Sequence, residues 1–200
     1  MTQFAPDTSD AALIQFVREN DLDALGVLFD RYYQQIYRAA VSITQDDAAA
    51  EDITQDCFLK IHRYANRIDT NLPLAPWLYR VTVNLSYTWV SRRNKRRVSL
   101  EAVIDRLMCP VWQSPDHLAE YADMQAQVRQ AIKELSFNQR VVVVLHYLNG
   151  LSLDEIAETL NCPVGTVKSR LHYARENLRR RLDAVNWSQE MGITAHGFAG

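Results

Sequence analysis

The chain has 200 residues, 48% of them hydrophobic, and a formal net charge of −2, which suits one or two globular units each able to bury a core. No apolar run approaches the roughly 20 residues that span a bilayer, and the polar, acidic start from Met1 to Asp10 predicts no secretory leader. Three widely spaced cysteines, Cys57, Cys109 and Cys162, argue against a disulfide framework and for reduced thiols in the cytoplasm. The small net charge hides an asymmetry. Residues 1–60 carry eleven acidic and four basic side chains, and residues 61–100 carry eight basic and one acidic. Two surfaces with different partners are expected, one of them suited to a polyanion.

Helical spacing dominates from the start. A first helix is expected over about Asp10 to Glu19, with Ala12, Leu13, Phe16 and Val17 on its inner face. A second runs from about Leu22 into the low forties, keeping Leu25, Leu28, Phe29, Tyr32, Ile36, Ala40 and Ile43 at three-and-four spacing. A third opens near Asp46. Asp46, Asp47, Glu51 and Asp52 crowd its first turns, where the helix dipole favours negative charge. Its inner stripe is Ala50, Ile53, Cys57, Ile61 and Tyr64. A loop, Asn66 to Pro76, precedes a fourth helix that ends near Arg93, with Pro76 in the first turn where proline is tolerated. The basic, proline-containing stretch from about Lys95 to Pro115 reads as a linker, with a short helical piece over Leu100 to Met108.

A second helical unit begins near Asp116. Val128, Ala131, Ile132 and Leu135 line one face of its first helix. Ser136 and Gln139 form a capping box ahead of Val141 to Leu145. That valine run favours a strand by propensity, yet a cap before it and Asn149-Gly150 after it predict a helix. Ser152 and Glu155 form a second capping box and open a short helix, Leu153 to Leu160. Asn161-Cys162 makes a tight turn. The next helix starts at Pro163 and turns Val164, Val167, Leu171, Ala174, Leu178 and Leu182 inward. Two amphipathic helices, a short turn and a longer second helix make a helix-turn-helix.

At about 100° per residue, Gly165, Ser169, His172 and Glu176 lie opposite that inner stripe. Thr166 and Tyr173 flank them on one side, Lys168 and Arg179 on the other. Small hydrogen-bonding residues cluster in the N-terminal half, the part that enters a major groove in this motif. Lys168, Arg170 and Arg175 are placed to reach phosphates or guanine edges. A helical hairpin in any all-α protein shares the pattern, so DNA reading needs independent support.

That support comes from resemblance. The segment "LSLDEIAETLNCPVGTVKSRLHYARENLRRR", Leu151 to Arg181, resembles region 4 of the extracytoplasmic-function (ECF) sigma factors, within the sigma-70 family. "DAAAEDITQDCFLKIHR", Asp47 to Arg63, resembles region 2.2, and "PWLYRVTVNL", Pro76 to Leu85, resembles the start of region 2.4. The resemblance implies an all-α fold of two small domains: a four-helix region 2 over residues 9–95 and a helix-turn-helix region 4 over 118–185. A flexible linker, 96–117, joins them, and a tail, 186–200, follows. It also implies a sigma factor that binds core RNA polymerase at the clamp and flap, reads −10 and −35 elements and carries no catalytic chemistry. Asp52, Gln55, Asp56, Leu59 and Lys60 are then the candidates for the polymerase clamp. Arg80, Asn84, Tyr87, Arg92, Arg93 and Lys95 are candidates for the single-stranded −10 element. Thr166, Lys168, Ser169, Arg170, His172, Tyr173 and Arg175 are candidates for the −35 duplex.

An unpaired strand needs a cationic track and an aromatic surface. Arg96 and Arg97 extend the track, and Trp77, Tyr79 and Trp89 are rings better suited to the core. Residues Ile68 to Leu74 depart from the family's commoner glycine- and acid-containing loop, and His172 stands where an aromatic is frequent. The group is usually held inactive by an anti-sigma factor, which makes one an expected partner. The tail contains Trp187, Met191, Ile193 and Phe198 and is expected to be disordered, with a docking segment as the alternative.

Two other classes compete. A helix-turn-helix regulator would need a sensor or receiver domain, usually α/β, and residues 1–95 show no strand alternation. An enzyme or metal protein would need a ligand or phosphate motif. His62, Cys109, His117, His146, Cys162, His172 and His196 are scattered without zinc spacing, and no glycine-rich phosphate loop is present. No cofactor or metal is expected.

Overall fold

The computed structural model describes residues 4, 5, 7–100 and 127–190, with side chains described at 4, 5, 7–93 and 127–182. The described secondary structure is helical throughout. It comprises α1 (Asp10–Arg18), α2 (Leu22–Thr44), α3 (Asp47–Tyr64), a 3-10 turn (Ala65–Arg67) and α4 (Leu74–Leu100). Then come α5 (residues 127–133), α6 (Phe137–Val143), a π-helical turn (Val144–Leu148), α7 (Leu153–Leu160) and α8 (Val164–Glu190). The expected helical piece over Leu100–Met108 falls, beyond Leu100, outside the described residues, as do most of the expected linker and residues 191–200.

The starts of the helices follow from side-chain acceptors. Ser9 accepts from the Ala12 amide at 3.3 Å, Asp21 from those of Asp23 and Ala24, and Asp46 from that of Ala49. Both expected capping boxes form. Ser152 Oγ accepts from the Glu155 amide at 3.2 Å while Glu155 returns a carboxylate to the Ser152 amide at 2.8 Å. The same reciprocal pair links Ser136 and Gln139. Each box satisfies two amides that a helix start leaves free. Hydrogen bonds from the Ser152 amide and then from its hydroxyl hold the Glu155 carboxyl below the usual carboxylate range.

Val141 to Leu145 is helical and wholly buried, because α6 and its π turn pack between α2 and α8. A run apolar on every side is stable as a helix when neighbours cover every side. Local spacing does not predict the π turn. It follows α6 directly and leaves Tyr147 and Leu148 exposed, and Gly150 then takes a left-handed φ of 71°.

Three other expectations are corrected. Phe16 lies on the exposed side of α1, where its ring packs at 5.0 Å from Phe4, and Ile14 takes the inner position. Tyr64 is half-buried rather than part of the α3 core. α4 overruns its expected end near Arg93 and reaches Leu100, and α8 continues to Glu190, since residues 94–100 and 186–190 hold no glycine or proline to stop a helix. Pro76 sits in the first turn of α4, as expected.

The buried side chains of α1–α4 and of α5–α8 form one continuous cluster. Arg18 anchors the N-terminal end, donating to Ala65 O at 3.0 Å and Ile68 O at 2.8 Å, which fixes the chain entering the loop before α4. Cys57 is buried against Thr82, 3.3 Å from its hydroxyl, and burial pushes its thiol up to about 12. It is a packing residue and stays protonated.

Candidate nucleic-acid interface

α7, the Asn161-Cys162 turn and α8 form the expected helix-turn-helix. Asn161 adopts a left-handed φ of 49°, and the Cys162 amide donates to Ala157 O at 3.0 Å, closing α7 before Pro163. Val167, Leu171 and Ala174 are buried, which turns the opposite face of α8 to solvent. Lys168, Ser169, His172, Tyr173 and Arg175 are exposed there, and Thr166 is half-buried. A Cβ built on Gly165 meets nothing within 4 Å. The fold therefore does not require a glycine at 165, and the small residue leaves room for an approaching partner.

Not every candidate cation on α8 is free. Arg175 Nε donates to Tyr147 Oη at 2.6 Å, and its guanidinium lies 5.7 Å from the centre of that ring. The pair fixes the direction of Arg175, and Tyr147 joins this surface although sequence patterning does not single it out. The only signal for it is weak: an aromatic at the end of an apolar run. Arg170 is half-buried and faces a cleft rather than the outer surface. The His172 and Tyr173 rings meet edge to face at 5.5 Å.

The basic helix α4 presents a mixed set. Arg80, Asn84, Tyr87, Arg92 and Arg93 are all exposed to some degree. Arg93 pairs with Asp46 at 3.1 Å and lies 5.0 Å over the Trp89 ring. Arg80 donates to the carbonyls of Thr159, at 3.1 Å, and Glu158. Tyr87 is 59% exposed yet meets Phe137 edge-on at 5.4 Å. Lys95 lies on α4, but its side chain is outside the described residues. Tyr79 is buried, and Trp77 and Trp89 pack against the core, as expected of rings at those positions.

A third surface lies on α3. Its core side is Ile53, Cys57, Phe58 and Ile61. Asp52, Gln55, Asp56 and Leu59 are exposed on the far side, and Leu59 retains 64% of its surface. Lys60 is half-buried, with its ammonium 5.6 Å from the Tyr64 ring centre. Arg63 and Arg67 lie 5.8 Å from the same ring, a cationic cluster absent from the sequence-derived candidates. An acidic face carrying one large apolar side chain suits a protein partner with basic surroundings.

Among the described residues, no group of three histidine, cysteine or acidic side chains is placed to hold a metal ion. No described helix is long and apolar enough to cross a membrane.

Comparison with known proteins gives the family of the chain. Residues 28–96 match the family described as Sigma-70 region 2, and residues 125–178 match Sigma-70, region 4. The ECF RNA polymerase sigma factor SigW of Bacillus subtilis is 33% identical over 177 residues, covering 84% of this chain and 94% of that protein. The RNA polymerase sigma-H factor of Pseudomonas aeruginosa is 28% identical and covers 88% and 95%. Among solved structures, CnrH in complex with the cytosolic domain of CnrY superposes with a TM-score of 0.63 at 24% identity, over 88% of this chain and 97% of that one. The sigma factor RpoE with the anti-sigma factor NepR from Bartonella quintana gives 0.60 at 23%, over 78% and 96%. These two likenesses establish the shared helical fold.

Proposed function

The chain belongs to the ECF group of the sigma-70 family, and from that membership we propose that it joins core RNA polymerase in the cytoplasm and directs it to promoters. The observation that carries this is the presence, in one chain and in family order, of the acidic α3 face, the basic α4 and an open recognition face on α8. Region 2 is assigned to residues 9–95 and region 4 to 118–185, joined by 96–117 and followed by a tail, 186–200.

The chain contributes recognition and carries no catalytic step of its own. The α3 face, Asp52, Gln55, Asp56, Leu59 and Lys60, docks on the polymerase clamp. Region 4 meets the flap. α8 enters the major groove at −35, with Lys168 and Ser169 nearest the bases and Thr166, His172 and Tyr173 beside them. Arg175 suits a phosphate, because Tyr147 holds its guanidinium in a fixed direction. Arg80, Asn84, Tyr87, Arg92, Arg93 and Lys95 follow the displaced −10 strand as a cationic track with one exposed ring. An anti-sigma factor is the expected regulator.

Transcription from promoters mapped by sequencing transcripts after overexpression, using purified core polymerase and the full chain, tests the assignment. A promoter-specific transcript that requires the chain is expected. No transcript from any mapped promoter rejects it. Two substitutions separate the elements. Lys168→Ala should weaken holoenzyme binding to −35 duplex by about 1–3 kcal/mol through a base contact, and by less through phosphate alone. Promoter affinity equal to the parent's at physiological salt removes Lys168 from the interface. Asn84→Ala should lower permanganate reactivity in the −10 region while duplex binding is retained. Equal reactivity in parent and variant counts against a base contact there.

A further inference from the structure

The π-helical turn Val144–Leu148 starts a line of contacts that ends on the recognition helix. Its wide winding brings the Asn149 amide to Val144 O at 3.2 Å and the Leu151 amide to Leu145 O at 3.0 Å. Single π turns of this kind are frequent at functional sites. Val144 and Leu145 are buried, His146 is half-buried, and Tyr147 keeps 54% of its surface exposed. His146 Nδ1 donates to Leu151 O at 2.9 Å, because a carbonyl can only accept. The His146 ring meets that of Tyr147 edge to face at 4.9 Å. Tyr147 is thereby braced against the segment that leads into α7.

The Tyr147 hydroxyl accepts from Arg175 Nε at 2.6 Å. A phenol oxygen that accepts still carries its own proton, and a guanidinium that donates through Nε still has the N–H bonds of Nη1 and Nη2. Among the described residues, neither group has a further hydrogen-bond partner, and no carboxylate pairs with the charge. One O–H and a planar fork of N–H donors therefore stand side by side on the surface. That set fits an oxyanion, with the fork on two oxygens and the hydroxyl supplying one more donor.

Position on α8 selects the anion. Arg175 follows Lys168 by seven residues, which is within about 20° of two full turns, so the two share a face about 10 Å apart along the axis. A major groove is about 12 Å wide. With Lys168 at the base edges, Arg175 and Tyr147 fall at the wall of the groove, where the backbone runs.

We propose that Tyr147 and Arg175 together bind one backbone phosphate at the edge of the −35 duplex. Tyr147 aims the guanidinium and donates its own O–H to the same phosphate. The π turn is the device that presents it, so the DNA-binding surface includes a residue ahead of α7, outside the helix-turn-helix. The site rests on the proposed assignment of α8 to the −35 duplex.

The test uses holoenzyme assembled from the full chain and purified core polymerase, bound to a mapped promoter. Parent, Tyr147→Phe, Arg175→Ala and the double variant are compared, and circular dichroism checks that each keeps its helices. Tyr147→Phe keeps the ring and removes only the oxygen. It should weaken promoter binding about tenfold, the worth of one hydrogen bond to a charged group. With Arg175 already alanine, the same change should cost less than about twofold, because the two residues act on one phosphate. Ethylation of single phosphates locates the contact. One phosphate beside the −35 element should interfere when ethylated in the parent and in Lys168→Ala, and not in Tyr147→Phe or Arg175→Ala. Parental affinity in Tyr147→Phe overturns the site. So does an equal loss in both Arg175 backgrounds, or interference that Tyr147→Phe leaves intact. A parent that forms no promoter-specific complex overturns the −35 assignment and the site with it, whereas the other adverse outcomes leave that assignment standing.

Discussion

Replacing Arg140 with methionine is expected to lower the melting temperature of the chain by about 6–12 °C. Arg140 stands midway along α6, and its guanidinium reaches four carbonyls. Nε donates to Ile132 O at 3.2 Å, Nη2 to Lys133 O at 2.6 Å and Leu135 O at 3.0 Å, and Nη1 to Ile43 O at 2.7 Å. Three of these acceptors lie at and beyond the end of α5, and the fourth is at the end of α2. Helix C-termini leave carbonyls without intrahelical partners, and one planar cation serves two such ends at once. Partial burial lowers the Arg140 pKa from its ordinary value without threatening its charge, because guanidinium begins so high. Hydrogen bonds from a charged donor are worth about 1.5–3 kcal/mol each and do not add fully, so a loss of about 3 kcal/mol is a conservative sum. For a chain of this size that corresponds to the stated shift. Thermal denaturation followed by circular dichroism measures it. Arg140→Lys should recover little, since an ammonium cannot span four acceptors. A melting temperature within about 2 °C of the parent's would show that the guanidinium adds little to folding.

The second large effect is expected at Leu59. Leu59→Asp should raise the dissociation constant for core RNA polymerase by about 30-fold or more, while the melting temperature stays near the parent's. The two halves of the expectation have one cause. Leu59 projects from the side of α3 opposite Ile53, Cys57 and Ile61, so the fold does not need its side chain. Exposed substitutions of this kind usually move stability by less than about 0.5 kcal/mol. Yet a large apolar side chain among Asp52, Gln55 and Asp56 is the natural anchor of a protein interface, and losing an anchor costs about 2 kcal/mol or more. Converted at about 1.4 kcal/mol per decade, that is the fold-change given. Fluorescence anisotropy of labelled chain titrated with purified core polymerase measures it. Unchanged affinity moves the clamp contact away from this face.

The two substitutions differ in how far local spacing foretells them. Helical periodicity assigns a face to every residue of α3, and that alone makes Leu59 a surface candidate. Nothing comparable marks Arg140. Its partner at Ile43 is 97 positions away, and no local pattern encodes such a pairing. The same division runs through the candidate sites. Lys168, Ser169 and His172 fall on the exposed face that their register predicts. Arg80, assigned to DNA as part of a cationic track, and Arg170, assigned to it on the recognition helix, instead face a cleft formed between α4 and the helix-turn-helix. Arg93 spends part of its charge on Asp46, 47 positions earlier.

Interactions that act over one or two helical turns are encoded locally in the chain. Capping at Ser9, Asp21, Asp46, Ser136 and Ser152, the inner stripes, and the turn at Asn161-Cys162 depend on neighbours three to five residues apart, so their physics is written in local spacing. The family follows from the same short segments. Packing between helices sets the rest: the π turn at Val144–Leu148, the exposure of Phe16, the hold of Tyr147 on Arg175 and the seat of Arg80 on the end of α7. Each of these depends on which surfaces meet after the helices form, and distant segments compete for the same apolar faces and the same carbonyls. The charge on a side chain is fixed by its identity; the acceptor it finds is fixed by the packing.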